Sequence, residues 1–271
     1  MAHEGRVKYS EMVLQKMNKK LVTKDNFIFN TDYEGDPISG SVKVHVAGDV
    51  TVADYDAVNG IEATQGSTTY VDVLVTKDKA INEIIDGWDA VSVPGDLVAT
   101  RLHRAGTALA TTLDADGLNV LATEGTVLDN TTALTKSTAY EAIVDAFTTQ
   151  SEADITVENR YVIVKPAVYA MLLKSSDFIK QSALSQEMVA KGVIGQIAGY
   201  NVLISNNMPA NVEFIAGHAD CATRINAWKK PVKLVDLDGS SKYVGACAVK
   251  GRMKYDHKVM IPAGIIVKTV G

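Results

Sequence analysis

Residues 192–209 read Gly-Val-Ile-Gly-Gln-Ile-Ala-Gly-Tyr-Asn-Val-Leu-Ile-Ser-Asn-Asn-Met-Pro, and this stretch is the most informative part of the chain. The pattern predicts a glycine-punctuated turn that follows a helix and leads into a strand over 200–204. The strand is predicted to end at a Ser-Asn-Asn loop before Pro209. A dinucleotide-binding fingerprint needs Gly-x-Gly-x-x-Gly after a strand and before a helix, which is the reverse order. The chain also lacks the Gly-Lys-Ser/Thr tripeptide of a P-loop.

Length and composition indicate a globular protein. The 271 residues are 46% hydrophobic and 22% charged, which is enough for one substantial core or two smaller ones. No apolar run reaches the length of about 18 residues that a membrane span needs, and the N-terminus lacks the apolar core of a secretory signal. Cys221 and Cys247 have no Cys-x-x-Cys spacing, so we expect two reduced thiols in a cytosolic product.

Charge is distributed unevenly along the chain. The net charge of −5 does not favour tight nucleic-acid binding, which draws on a basic surface. Residues 30–90 carry twelve acidic and three basic side chains, a local net of −9, whereas residues 1–29 carry six basic and three acidic ones and residues 239–271 six basic and one acidic. This segregation is either ordinary solvated surface or a sign that acidic and basic segments meet, within one chain or between chains.

Residues 31–80 are predicted to form a long hairpin with a loose tip. Val42, Val44 and Val46 alternate with polar residues, and 68–76 is a second β-rich run. An isolated two-stranded hairpin is only marginally stable in water, so its apolar face needs cover from outside, and a neighbouring subunit would serve.

The rest of the chain predicts a long helix followed by a mixed α/β region. The best helix covers 95–113, and Asp114-Ala-Asp116-Gly117 reads as the loop that ends it, because the glycine comes too early for a calcium loop. Its apolar residues recur at helical spacing: Val98, Leu102, Ala105, Leu109 and Leu113. A second helix starts near Thr138, where Glu141 completes a capping box. Further elements are predicted as strands over 160–165, 200–204, 212–216, 232–235, 243–252 and 265–270, and helices over 166–173 and 185–191.

The sequence contains no recognisable catalytic or metal-binding motif. The five histidines (His3, His45, His103, His218 and His257) fall in five different elements without metal-ligand spacing. Two carboxylate pairs, Asp54/Asp56 and Asp86/Asp89, could serve acid–base chemistry, but they lie in or beside the acidic hairpin, where solvated surface charge is the better explanation. We therefore predict no catalytic, cofactor-binding or metal-binding residue. Gly199 is instead predicted to be a backbone requirement, with positive φ at the start of a strand.

The glycine spacing, the aromatic residue at 200 and the Ser-Asn pair at 205–206 resemble a hallmark segment of tailed-bacteriophage major capsid proteins, which have the Hong Kong 97-type shell fold. Asn30-Thr-Asp-Tyr-Glu-Gly and Val50-Thr-Val-Ala-Asp-Tyr55 resemble flanks of the extended E-loop in that family. The resemblance covers essentially the whole chain and implies an α+β fold. The implied parts are an N-terminal arm (1–30), an extended β-hairpin E-loop (31–80), a peripheral domain (81–134 and 236–271) with a spine helix at 95–113, and an α/β apical domain (135–235).

The resemblance implies a structural role and no enzyme activity. Copies of a major capsid protein form pentameric and hexameric capsomers, which close into an icosahedral shell around double-stranded DNA in the virion after assembly in the host cytoplasm. Implied partners are a portal at one vertex, non-specific contact with packaged DNA and no membrane. A separate scaffolding protein is also implied, because the residues before the hairpin are too few for the scaffolding extension of some members.

Two rival functions and one possible modification stay open at this point. The rivals are an encapsulin-like nanocompartment shell, which shares the fold, and a soluble α+β enzyme of unrecognised type. Some capsid proteins form Lys–Asn crosslinks, and Lys43, Lys77 and Lys79 lie in the predicted hairpin. No acceptor asparagine is assigned.

Overall fold

The computed structural model describes residues 21–23, 28–47, 52–61, 66, 68–93, 96–128, 132–174, 193–238 and 242–270. The helices are α1 (Gly87–Ser92), α2 (Leu97–Glu124), α3 (Ala139–Glu152) and α4 (Pro166–Lys174). The strands are β1 (Ser41–Ala47), β2 (Thr68–Leu74), β3 (Lys77–Ile85), β4 (Thr126–Val127), β5 (Arg160–Val164), β6 (Val193–Ile197), β7 (Tyr200–Ile204), β8 (Val212–His218), β9 (Ala222–Asp236), β10 (Cys247–Val259) and β11 (Ile265–Thr269). The predicted helix over 185–191 lies outside the described residues.

A six-stranded sheet in the order β4-β11-β8-β5-β7-β6 forms the larger core. The central strand β5 pairs parallel with β7 and antiparallel with β8, and all five of its residues are buried. One face of the sheet packs on α3 and α4, and the other packs on the C-terminal half of α2. A strand covered on both faces has no solvent side to alternate with, which explains the uninterrupted Tyr-Val-Ile-Val run.

A three-stranded antiparallel sheet in the order β3-β10-β9 lies on the N-terminal half of α2. Ile85 and Val249 of this sheet pack with Ala105 of the helix, and Met253 packs with Leu109. The 28-residue helix is about 42 Å long at 1.5 Å per residue. It therefore reaches from the small sheet to the large one and joins both cores.

The spine helix begins near the predicted position and ends later. Asp96 caps its N-terminus by accepting a hydrogen bond from the Ala99 amide at 2.9 Å. The prediction that it ends at 113 in an Asp-Ala-Asp-Gly loop is wrong, because the helix continues to Glu124. The Asp114 carboxylate is buried in the helix and accepts hydrogen bonds from Thr23 and Asn207, so its charge is stabilised by residues remote in sequence.

Gly117 is in the helix for a packing reason. A Cβ at this position would lie 3.0 Å from Phe29 Cε2 and 3.2 Å from His257 Nε2. Contacts this short are crowded, so the helix needs glycine where these two side chains reach its backbone. The local pattern of a helix-ending loop thus reflects a tertiary contact.

Residues 193–204 form a hairpin. The glycine-punctuated turn predicted before the strand is wrong at 193–197, where β6 pairs antiparallel with β7. Ala198 and Gly199 make a two-residue turn with φ of 47° and 85°. Positive φ at both central residues is the signature of a type I′ turn, whose twist matches that of the flanking strands. The positive φ predicted for Gly199 is confirmed.

Other elements differ from their predictions in capping or in length. Thr138 makes no side-chain cap to α3, because its hydroxyl accepts a hydrogen bond from the Thr135 amide at 3.0 Å. Strands β9 and β10 are longer than predicted, and β11 lies in the six-stranded sheet beside β8. The division into four domains stays a prediction. Among the described helices, none has the length and apolarity needed to span a membrane.

Candidate assembly surface

The β1–β2 hairpin is anchored to its own chain at its root. The strands pair from Ser41↔Leu74 to Ala47↔Thr68. Four root valines form a cluster with Ile225 and Ala227 of β9: Val42, Val44, Val73 and Val75. The apolar face near the root is thus covered from within the chain, whereas the period-two pattern alone called for cover from outside.

The distal segment 52–61 lies open to solvent. Val52 is 91% exposed, Tyr55 74% and Val58 89%. Scattered apolar residues are normal on a surface, but here three bulky ones occur within seven positions of one segment. The segment therefore presents apolar surface that this subunit does not bury.

Asp56 holds the turn in that segment. Its carboxylate accepts hydrogen bonds from the Val58 amide at 2.8 Å and from the Asn59 side-chain amide at 2.6 Å. These donors stabilise the carboxylate and lower the pKa of Asp56 below its usual value. Asp56 therefore has a local structural role, and Asp54 beside it has no ion pair or hydrogen bond within the described part of the chain.

The three candidate crosslinking lysines separate in the fold. Lys43 lies on β1, with its Nζ 4.0 Å from an Asp72 carboxylate oxygen on β2. Lys77 and Lys79 lie on β3, paired to β10, and Lys79 Nζ is 3.8 Å from the Asp116 carboxylate of α2. Only Lys43 belongs to the β1–β2 hairpin.

A basic surface covers the side of the three-stranded sheet that faces away from α2. We call this surface the basic face. Side chains of directly opposed residues in an antiparallel pair point to the same side. The face thus collects five cationic side chains from β9 and β10: Lys230, Lys233, Lys250, Arg252 and Lys254. Strand β3 adds Asp78, opposite Lys254, as the acidic member.

Arg252 is at the centre of the basic face. Its Nε donates to Asp78 Oδ1 at 2.8 Å and its Nη2 donates to Asp78 Oδ2, a two-point pair. This pairing lowers the pKa of Asp78 and raises that of Arg252. The guanidinium also lies over the ring of half-exposed Trp228, 5.7 Å from its centroid.

Like charges oppose each other across β9 and β10. Lys233 is the register partner of Lys250, and Lys230 is the register partner of Arg252. Like charges directly opposite on a sheet destabilise the pairing by a few tenths of a kcal/mol or more. An unneutralised basic face of this kind is complementary to a partner that carries negative charge.

The candidate catalytic residues are not brought together. The Asp86 carboxylate caps α1 by accepting from the Trp88 amide, so it serves helix formation. His103 is exposed on α2, and His218 Nε2 lies 3.1 Å from Thr156 Oγ1. In the part of the chain that the structure covers, no three His, Cys, Asp or Glu side chains are grouped so as to hold a metal. Burial raises the pKa of the Cys221 thiol to about 11, and both cysteines are free.

The basic face was not predicted from the sequence. A signal was available, because Lys250, Arg252 and Lys254 alternate with Gly251 and Met253, which is the period of a strand with one solvated side. The contribution of β9 was harder to see. Its basic residues surround Pro231, which is tolerated here because β9 is an edge strand of the sheet.

Comparisons with known proteins agree with this architecture. A family model for phage capsid proteins matches residues 73–242, more than half of the chain. The sequence matches none of the curated proteins. A structure from Mycobacterium phage Che8 is 23% identical, with 92% of this chain and 91% of that chain covered and a TM-score of 0.72. The capsid structure of cyanophage P-SCSP1u is 16% identical, with 98% and 93% covered and a TM-score of 0.77.

A more distant structure, the capsid of a native GTA particle, is 15% identical, with 86% and 85% covered and a TM-score of 0.59. These likenesses confirm the predicted α+β shell fold of the Hong Kong 97 type. The match to the family model favours a phage capsid over the encapsulin-like alternative. From the match to the family model, the chain belongs to the phage capsid protein family as a structural protein of the virion.

Proposed function

We propose that the chain is the repeating shell subunit and that copies associate by laying the hairpin of one over the basic face of the next. The observation that carries this proposal is the complementarity of two surfaces within one chain. The distal hairpin segment is exposed, apolar and acidic, and the basic face carries five cations against one carboxylate. The two surfaces are distinct patches, so their contact is heterologous, and such a contact generates a ring of subunits when its rotation closes.

The apolar side chains supply the larger share of the association energy. Burial of apolar surface is worth about 25 cal/mol per Å², and Val52, Tyr55 and Val58 are largely exposed in the isolated subunit. Exposed ion pairs contribute only about 0–1 kcal/mol each. Charge therefore sets the register and the choice of partner, and the apolar contacts provide the affinity.

Capsomers of five and six copies, a closed icosahedral shell around double-stranded DNA and assembly in the host cytoplasm belong to this proposal. A separate scaffolding protein and a portal at one vertex are proposed as partners. The match to the phage capsid family supports these assignments, and we infer no catalytic role for the chain. Electron microscopy and sedimentation of the purified chain, with its scaffolding protein, test them. Closed particles are expected, whereas a small soluble oligomer under all conditions would contradict the proposal.

Protection of the hairpin tests the contact itself. In a dispersed subunit, limited proteolysis is expected to cut the exposed 52–61 segment first, and assembly is expected to protect it. The buried strand β5 is the internal reference, because its protection is complete within one subunit. Equal cleavage of 52–61 in subunits and in particles would count against the hairpin as an intersubunit element.

Charge reversal on the basic face is expected to lower the yield of particles without lowering the stability of the subunit, so it separates assembly from folding. In the variant Lys230→Glu with Lys233→Glu, the introduced carboxylates oppose Arg252 and Lys250, which replaces two repulsive pairs with attractive ones. Subunit stability is thus expected to hold or to rise by a few tenths of a kcal/mol, while particle yield falls. Adding Asp54→Lys to this variant is expected to restore part of the yield.

Lys136→Glu, at an exposed position outside the sheet, is the matched control and is expected to leave the yield unchanged. Asp56 is left intact in these variants, because its replacement would also break the turn. Normal shells that lack DNA would assign the basic face to DNA instead of to the hairpin.

A further inference from the structure

A buried junction ties four parts of the subunit together. The Asp114 carboxylate of α2 accepts hydrogen bonds from the Thr23 amide at 2.8 Å and from the Thr23 hydroxyl at 2.7 Å. Arg224 of β9 donates from Nη1 to the Thr23 carbonyl at 2.6 Å. The same guanidinium donates from Nε to His257 Nε2 of β10 at 3.0 Å. All four residues are buried, so the N-terminal segment is held by both backbone groups of Thr23.

The Arg224–His257 bond determines where the proton of the imidazole sits. A guanidinium has donors only, so His257 Nε2 must accept. The neutral ring therefore carries its hydrogen on Nδ1, and Nε2 holds the ring's one available lone pair. Any additional proton has to enter at Nε2, the atom that faces Arg224. Protonation cannot occur while the bond to Arg224 is in place.

The junction is incompletely satisfied even when it is closed. Arg224 Nη2 and His257 Nδ1 are buried without a hydrogen-bond partner in the described structure. Buried polar groups without a partner destabilise a fold, because they lose the hydrogen bonds that water supplies in the unfolded chain. The pair is held closed by its neighbours, since the Phe29 ring packs against both side chains, with its centroid 4.9 Å from the guanidinium carbon and 4.8 Å from the centroid of the imidazole.

We propose that Arg224 and His257 form a proton-operated latch: a proton entering at His257 Nε2 separates the pair and loosens the hold on Thr23 and Phe29. Two adjacent cations repel each other, so Arg224 moves away and the Thr23 carbonyl loses its donor. The device acts within one subunit and goes beyond the proposed shell assembly. In acid, the residues around Thr23 and Phe29 would then have a lower local stability than the two sheets.

Several charged groups face the latch. Asp114 of α2 lies across Thr23, and Lys77 of β3 acts on His257 electrostatically. On β10, Asp256 accepts from the His257 amide at 2.8 Å and from the Thr76 hydroxyl at 2.7 Å, and the Tyr255 ring lies 5.6 Å from the imidazole. Burial, the charge of Arg224 and that of Lys77 together lower the pKa of His257 to about 3. Both carboxylates are already engaged in hydrogen bonds, and their charge does not offset these effects.

The direction of the pH effect follows from comparing the pKa of His257 in the closed latch with its ordinary value. The folded pKa of His257 is depressed, so the closed latch is stable above the ordinary histidine pKa of about 6.5 and is lost as the pH falls toward about 3. At about pH 4.5 the open form gains roughly a hundred-fold over the closed form relative to neutral pH.

Hydrogen exchange measured by mass spectrometry on the full chain tests the latch. Between about pH 7.5 and about pH 4.5, the peptides that contain Thr23 and Phe29 are expected to lose up to about a hundred-fold in protection after correction for intrinsic exchange. The β5 peptide is expected to keep its protection. In His257→Gln the side-chain oxygen can accept from Arg224 but does not titrate, so most of the loss should vanish. The exposed His103→Gln is the matched control and should behave as the parent chain.

Two results would overturn the latch. One is the same acid loss in His257→Gln as in the parent chain, and the other is loss of β5 protection in step with Thr23. Nitrogen NMR of the histidine rings in the parent chain provides a test that needs no variant. A proton on His257 Nε2 at neutral pH would contradict the assigned tautomer and with it the latch.

Discussion

Strand β5 and the β1–β2 hairpin are both built from β-forming residues, but they differ in how much of their apolar surface the subunit buries. In β5 every residue is buried, because helices cover one side of the sheet and α2 covers the other. In the hairpin only the root valines are covered, by β9, and the distal segment 52–61 is open. The sheet completes its burial within one subunit, whereas the described part of the hairpin leaves apolar surface exposed. Stability therefore resides in the first region, and the proposed association uses the second.

The largest expected effect is the difference in stability loss between two isoleucine-to-alanine variants, one in each region. Ile163 in β5 is 0% exposed, and Ile61 in the hairpin is 53% exposed. Ile163→Ala leaves a cavity and is expected to lower the free energy of unfolding by about 2–5 kcal/mol, and Ile61→Ala by less than about 0.5 kcal/mol. Urea denaturation of dispersed subunits measures both. Similar losses for the two variants would remove the distinction between the regions.

Two glycines in α2 sharpen the same distinction within one element. Gly117→Ala puts a Cβ against Phe29 and His257 and is expected to destabilise by about 1–3 kcal/mol. A Cβ at Gly106 would meet nothing within 4 Å, so Gly106→Ala should stabilise the helix by up to about 1 kcal/mol. Thermal unfolding of the two variants should move in opposite directions. A stabilising Gly117→Ala would show that the core at this contact is loosely packed.

The β6–β7 turn gives a smaller effect. Gly199→Ala places a Cβ at φ 85° and is expected to cost about 1 kcal/mol of subunit stability. The space around it is ordinary, with Phe147 and Val157 carbons 3.6 Å from the added Cβ. Ala198→Gly relieves the neighbouring positive φ and is expected to change stability by less than about 0.5 kcal/mol. Loss of stability in Ala198→Gly as large as that in Gly199→Ala would contradict the turn assignment.

The smallest effect is expected on the hairpin surface. Lys43 and Asp72 form an ion pair at 4.0 Å with both side chains mostly exposed. Lys43→Gln should lower subunit stability by no more than about 0.5 kcal/mol, and by less in high salt, because exposed pairs are screened. Denaturation at low and high ionic strength checks this value. A loss above about 1 kcal/mol would mean that the hairpin contributes to subunit folding more than its exposure indicates.

Sequence reasoning succeeded where a signal depends on near neighbours. Alternation at 42–46 placed β1, and the apolar run at 160–165 placed β5. The positive φ of Gly199 and the family resemblance were also correct. Prediction failed at 114–117, where an Asp-Gly pattern typical of a loop occurs inside a helix, and at 193–197, where a strand replaces the predicted turn. The prediction that the chain has no catalytic, cofactor-binding or metal-binding residue is not tested by the fold and stays a prediction.

The sequence by itself determined the period of each element, the acidic and basic segments and the membership of a shell-forming family. All of these are recorded in residue order. Only the tertiary structure decided which charges and glycines meet. Asp114 is 91 positions from Thr23, and Arg224 is 201 positions from the same residue. The basic face likewise needs the register of β9 against β10, which is set by packing on α2. Such contacts depend on which surfaces are buried against each other, and periodicity along the chain carries no information about that.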